Sequence, residues 1–368
     1  MDRIYEINEL IKTLCRIPAP SNMEHERALF CRGYLEDAGA SNVFIDDDDD
    51  VIFEWGLSDD RPVTVFTAHL DTVFPDLEPF SPVEEDGKIF CPGVGDDTAN
   101  VALLMYAVKE LIKEGISIKD TVICLNSGEE GLGNLRGARA LMERYRGRVK
   151  EFVSFDGGYT AIANEAVGSR RFRVKVKTEG GHSFGNFGNL NAVAAASQLI
   201  SALYTVKVPD IPGKKTTYNV GVIKGGTSVN TIAEDAEFLY EFRSDSAKGL
   251  SLMDGIFESL LSAFDRSLGE RGGISSELIG ERPCSDIRQS LMDEVTERYI
   301  SLIMEVTGGD VRTVSSSTDC NIPLSMGVPA VCFGGYLGKG SHTRSEYIEI
   351  DSLGPGYEII RKCLLQGM

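Results

Sequence analysis

The chain has 368 residues and a net charge of −19, with a quarter of its residues charged. That length exceeds the usual size of one core and predicts two domains, and the acidity argues against nucleic-acid and membrane partners by repelling phosphate and anionic lipid. Eight Cys without a CxxC pair argue against a disulfide framework or a cysteine metal site.

The N-terminus carries acids in an amphipathic pattern rather than a basic leader, and no run of about 18 apolar residues exists, so a cytoplasmic protein is expected. Ile4, Ile7, Ile11 and Leu14 recur at helical spacing, and a second helix is expected over about 23–38. Five consecutive acids, Asp46–Asp50, lie between β-rich pieces at 42–45 and 51–55. They read as a solvated hairpin turn, because the run lacks the Gly and spaced ligands of a calcium loop.

Strand Val63–Ala68, helix Asn100–Glu114, strand Thr121–Asn126, helix Gly137–Tyr145 and strand Phe152–Phe155 then alternate. This alternation predicts an α/β sheet with helices on both faces. At about Val167 the texture changes. Arg171–Lys177 alternates basic and apolar residues, and is followed by helix Ala192–Leu203, strands Asn219–Ile223 and Ala236–Arg243, and helix Leu252–Leu268. An α+β module over 167–280 is therefore inserted into a first domain made of 1–166 and 281–368. The α/β pattern resumes with helix Asp293–Val306, strand Ala330–Phe333 and helix Gly354–Gln366.

His69 and Asp71, Glu129 and Glu130, and Asp156 sit just past strand ends, where such sheets bind ligands. Asp96 and Asp97 lie in a glycine-rich loop opening a helix, and His342 follows a glycine-dense stretch near the C-terminus. Imidazole and carboxylate together suit zinc, with cobalt or manganese as substitutes. In extended chain His69 and Asp71 share a face, so Asp71 can orient the imidazole. Asp97 reads equally well as a helix N-cap. Glu129 and Glu130 would repel each other unless a cation or proton intervened. One on a metal and one free as general base resolves that conflict.

These motifs resemble the di-zinc exopeptidase and deacylase family of peptidase T, carboxypeptidase G, aminoacylase and succinyl-diaminopimelate desuccinylase. Along the whole chain, in order, come His-x-Asp, Gly-x-Gly-Asp-Asp, Gly-Glu-Glu-Gly, Asp-Gly-Gly, Gly-Gly-His-Ser and Gly-Gly-Thr-Ser-Val-Asn. A strand ending in Phe242-Arg243, Ser-Thr-Asp319 and His342-x-x-x-Glu346 complete the series. The resemblance implies a zinc-exopeptidase-like mixed sheet flanked by helices, with the inserted module as a lid that also forms a homodimer interface. It implies two divalent metal ions, Zn2+ first and Co2+ or Mn2+ as substitutes. Asp96 would bridge them, His69 and Asp156 would hold one, and Glu130 and His342 the other. Glu129 would be the general base and Asp71 the partner of His69. His182 would stabilise the oxyanion in a neighbouring subunit's site, and Asn230 and Arg243 would anchor substrate.

Two departures bear on substrate. Thr98 stands where many relatives have Lys, and Asp156 resembles the peptidase T and dipeptidase branch where many deacylases carry Glu. The expected activity is hydrolysis of di- and tripeptides by a metal-activated water. The alternatives are an N-acyl-amino-acid deacylase with the same chemistry and a catalytically silent binding scaffold. The scaffold would need a missing ligand or base, and every one of those residue types is in place.

Overall fold

The computed structural model describes residues 3–129, 133–285 and 287–366. Its contacts divide the chain into one unit of Met1–Ala166 with Asp286–Met368 and a second of Val167–Ser285.

The first unit is built on a sheet of eight strands: β1 (Val43–Ile45), β2 (Val51–Trp55), β3 (Val63–His69), β4 (Thr121–Asn126), β5 (Val149–Ser154), β6 (Ala161–Ala166), and two from after the insertion. Strands β3 and β4 are buried along their whole length, which requires cover on both faces. That cover includes α1 (Arg3–Cys15), α2 (His25–Asp37), α3 (Asn100–Lys113) and α4 (Arg136–Arg144). In α1 the predicted apolar stripe is the buried one, with Ile7, Ile11 and Leu14 fully enclosed.

Strand β3 runs parallel to β4, with His69 opposite Asn126, and parallel to β5, with Thr67 opposite Ser154. Parallel strands end on the same side. The segments after β3, β4 and β5 therefore meet at one sheet edge, and this positions the site.

The second unit contains β7 (Gly168–Thr178), β8 (Thr216–Gly225), β9 (Asp235–Ser244) and β10 (Gly272–Arg282), all antiparallel in the order β8-β9-β7-β10. Helices α5 (Ala192–Leu203) and α6 (Ala247–Leu268) pack on one face around Phe238, Tyr240, Phe242 and Phe257. Because β10 continues to Arg282, this unit extends past residue 280, where the sequence pattern had placed its end.

After the insertion the chain adds α7 (Gln289–Thr307), β11 (Arg312–Ser316), β12 (Ala330–Cys332) and α8 (Leu353–Leu365). The large sheet then reads β1-β2-β4-β3-β5-β12-β6-β11 and is mixed. The sequence pattern did not reveal β6 and β11, since each carries a single large aliphatic residue, Ile162 in β6 and Val314 in β11, and so lacks a strand's apolar signal. Among the described residues no helix is long and apolar enough to cross a membrane.

Candidate metal centre

His69 is the last residue of β3, and only 5% of it is exposed. Its Nε2 lies 3.0 Å from Asp96 Oδ1. Its Nδ1 is 3.0 Å from the Asp71 carbonyl and 3.3 Å from the Asp71 carboxylate, so Asp71 orients the ring through both groups. Burial alone would lower the His69 pKa, but Asp71 and Asp96 hold it well above the usual imidazole range.

His342 approaches Asp96 from the other side, with Nε2 2.9 Å from Oδ2. One carboxylate thus faces two imidazoles, one on each oxygen. Burial disfavours the Asp96 charge, yet His342 and His69 outweigh it and hold the carboxyl below its ordinary value. Asp156, just past β5, brings a carboxylate oxygen within 4.8 Å of the ligand atoms of His69 and Asp96. Imidazole and two carboxylates converging at that spacing fit a divalent cation. The crowding of acids supports the same fit. Burial, and after it the charges of Asp156 and Asp96, push the Asp97 carboxyl well up despite the nearby His69.

The loop bearing Asp96 is held by a residue whose role the sequence pattern did not reveal. Glu346 is buried, and its carboxylate accepts the backbone N–H groups of Gly93, Gly95 and Asp96 at 2.7, 2.9 and 2.8 Å. Burial is the main reason its pKa rises to about 7. A Cβ on Gly95 would sit 2.6 Å from the Tyr336 hydroxyl and 2.9 Å from Glu346 Oε1, so only glycine permits this approach. Glu346 follows His342 by four residues, and that spacing within one motif was the available signal.

Asp97 does not cap a helix. Its oxygens accept from the His69 backbone N–H at 3.0 Å and from Asn100 Nδ2 at 2.7 Å, tying the Asp96 loop to the end of β3. The Asp96–Asp97 peptide bond is cis. Arg27, 3% exposed, donates to the carbonyls of Leu14, Ile17 and Leu70 and lies 3.4 Å from Thr98 Oγ1. A buried cation therefore stands beside Thr98.

Glu129 lies past β4, 7% exposed, with a left-handed φ of 49°. Glu130 falls outside the described residues. The remaining expected site residues belong to the second unit. There His182 is exposed, and its Nδ1 accepts from the backbone N–H groups of Phe184 and Gly185. Asn230 is its neighbour: His182 pairs with Thr231, and the Asn230 carbonyl accepts from Ser183 N–H at 3.0 Å. Arg243 is tied to Glu241 by two hydrogen bonds of 3.2 Å.

Over residues 65–366 the chain matches Peptidase family M20/M25/M40. It is a member of that family.

M20/M25/M40 relatives include the acetylornithine deacetylase of Myxococcus xanthus, 22% identical over 338 residues that cover 87% of this chain and 83% of that protein. Among solved structures, aminopeptidase PepT from Bacillus cereus superposes with a TM-score of 0.77 at 20% identity, covering 99% of this chain and 98% of that one. A tripeptidase from Staphylococcus aureus gives a TM-score of 0.78 at 19% identity, covering 99% of both. These likenesses show the M20 fold, a large mixed sheet flanked by helices, and the family is metal-dependent.

Proposed function

We propose that the chain is an exopeptidase that hydrolyses di- and tripeptides with two divalent metal ions, Zn2+ first among them. The observation that carries this reading is Asp96 with an imidazole on each carboxylate oxygen and Asp156 beside it. Asp96 would be the bridging ligand, His69 and Asp156 would complete one site, and His342 and Glu130 the other. Bound there, a divalent ion supplies Lewis acidity, which lowers the pKa of water and polarises a carbonyl.

The protein's own groups do the rest. Glu129 accepts the proton of the attacking water and passes a proton to the leaving amine, a role usually worth 10²–10⁴-fold. Asp71 fixes the His69 ring so that Nε2 faces Asp96. In His182, Nδ1 is occupied by backbone donors, which leaves Nε2 as the atom available to a substrate oxyanion. Phe184 and Phe187, 89% and 91% exposed beside it, are apolar surface that a second copy could cover, in line with a homodimer through the second unit. Asn230, on the segment paired with that of His182, would contact substrate there. Arg243, held by Glu241 through Nε and Nη2, would anchor a substrate carboxylate with its remaining N–H donors.

Asp156 and the PepT-like fold favour peptides, whereas the acetylornithine deacetylase likeness supports N-acyl-amino-acid hydrolysis as the second reading. A substrate panel separates them. After reconstitution with zinc, cobalt or manganese, di- and tripeptides should be cleaved with kcat/KM at least about tenfold above N-acetyl-amino acids, a margin of 1.4 kcal/mol in transition-state binding. The reverse ranking would replace the peptidase reading with the deacylase one.

A further inference from the structure

The base proposed above sits on a strained turn, and three buried carboxylates from distant segments grip the two residues before it. The Ser127 backbone N–H donates to Asp50 Oδ1 at 2.8 Å, and the Ser127 hydroxyl donates to Glu24 Oε1 at 2.7 Å. Gly128 N–H donates to Asp71 Oδ1 at 2.8 Å. The Ser127 hydroxyl also accepts from Arg136 Nη2 at 3.0 Å, and the same nitrogen donates to the Asp48 carbonyl at 3.1 Å. Next in the chain is Glu129, a non-glycine residue in the left-handed region. Such a conformation persists where its surroundings over-determine it.

Two features separate this bracing from ordinary packing. Glu24 and Asp50 are both fully buried, and each leaves its second carboxylate oxygen without a hydrogen-bond partner. Carboxyl groups are expensive to bury in this way, even with Arg136 Nη2 3.9 Å from Glu24 Oε2, and a core chosen for stability alone would not place two of them on one serine. The second feature is the origin of Asp50, which closes the run of five acids. That turn is not simply solvated: Asp46 Oδ1 accepts from the N–H groups of Asp48 and Asp50, which turns the last acid inward. A Cβ on Gly137 would lie 2.5 Å from Asp50 Oδ1, so α4 closes tightly over it.

We infer that Glu24 and Asp50 are positioning residues for Glu129, acting through Ser127, and that the acidic turn exists to deliver Asp50 to that task. This rests on the reading of Glu129 as the base. Ser127 is the node: its main chain is fixed by Asp50 and its side chain by Glu24 and Arg136. A displaced base loses rate steeply, because an error of about 1 Å can cost 10²-fold.

The test compares Glu24→Ala, Glu24→Gln, Ser127→Ala and Glu129→Gln in the full-length, metal-loaded protein, assayed on a tripeptide. Glu24→Ala and Ser127→Ala should lower kcat by about 10- to 100-fold, with KM within about threefold and bound metal at the parent level. Glu24→Gln keeps an acceptor for the Ser127 hydroxyl and should recover kcat to within about threefold of the parent. A purely structural role would lower the denaturation midpoint while leaving kcat per metal-loaded site unchanged. If Glu24→Ala does not fold, Ser127→Ala carries the test, since it removes one hydroxyl and leaves the backbone contact to Asp50 intact. Parent-like kcat in Ser127→Ala beside an inactive Glu129→Gln overturns the positioning role and leaves the base in place. An active Glu129→Gln overturns the base and the positioning role with it.

Discussion

The two units of this protein bury different things. Among the described residues, the first encloses Glu24, Arg27, Asp50, His69, Asp71, Asp97, Glu129, Asp319 and Glu346, and the second encloses one charged residue, Arg282. The second unit is a patterned sheet under two helices, with inward Val174, Val176, Phe238 and Tyr240 alternating with outward Lys175, Lys177 and Glu237. Such a unit is stabilised by burying apolar surface. The first unit has a larger apolar core, yet at one sheet edge it buries carboxylates, imidazole and guanidinium at a cost in stability. The excess of acid over base in the sequence lies in this unit too. The candidate metal centre lies where the hydrophobic pattern is broken.

The largest expected effect tests whether the first unit's buried charges serve a metal. Asp96→Ala removes the carboxylate between His69 and His342, so both bound metal and nearly all peptide hydrolysis should be lost. Elemental analysis of reconstituted protein alongside a turnover assay checks this. Metal at the parent level would separate the cluster from metal binding.

The next effect asks whether the second unit contributes chemistry or only shape. His182→Ala should lower turnover by about 10²–10³-fold, the usual cost of losing an oxyanion donor, with metal content and folding unchanged. Mixing it with Glu129→Gln chains should then restore part of the activity, because in the proposed homodimer one site of a mixed pair would contain both residues intact. No recovery after verified subunit exchange would confine His182 to its own chain or remove it from the reaction.

The smallest effect sharpens the cost of the first unit's burial. Asp50 has its pKa raised by burial, and the nearby acids Asp46, Asp319 and Asp48 oppose the Ser127 hydrogen bond and push it further up. An acid with a raised folded-state pKa favours folding most below its unfolded pKa of about 4, and that contribution is lost as pH climbs through the folded value. Asp50→Asn keeps the acceptor for Ser127 N–H and removes the charge. Its melting point near neutral pH should therefore rise by about 2–4 °C, the shift that about 1 kcal/mol produces in a unit of this size. The gain should vanish as pH falls towards about 4. A melting point that drops near neutral pH would mean that the buried charge itself stabilises the turn.

Much of this was legible in the chain. The apolar pattern alone gave the bounds of α5 and β4 as observed, and placed α1, α3 and β3 to within a residue or two, because apolar burial leaves a local record, at a spacing of 3.6 in a helix and as an unbroken run in a strand covered on both faces. The motif residues His69, Asp96 and Asp156 were legible as candidates because each follows an apolar run or a glycine-rich turn. The reading of Asp46–Asp50 as a solvated turn failed at Asp50, since composition cannot say which acid of a run faces inward.

The sequence by itself determined the alternation of strands and helices, the insertion of a second unit, and the family motifs that carry the expectation of metal chemistry. Only the tertiary structure decided which polar groups meet. Glu346 reaches Gly93, Gly95 and Asp96 from some 250 positions away, and Glu24, Asp50 and Asp71 converge on two residues after β4. The physical reason is one of range. Burial imprints a repeating pattern on neighbouring residues, whereas a hydrogen bond between distant loops depends on where the sheet brings its strand ends together, and no local spacing encodes that.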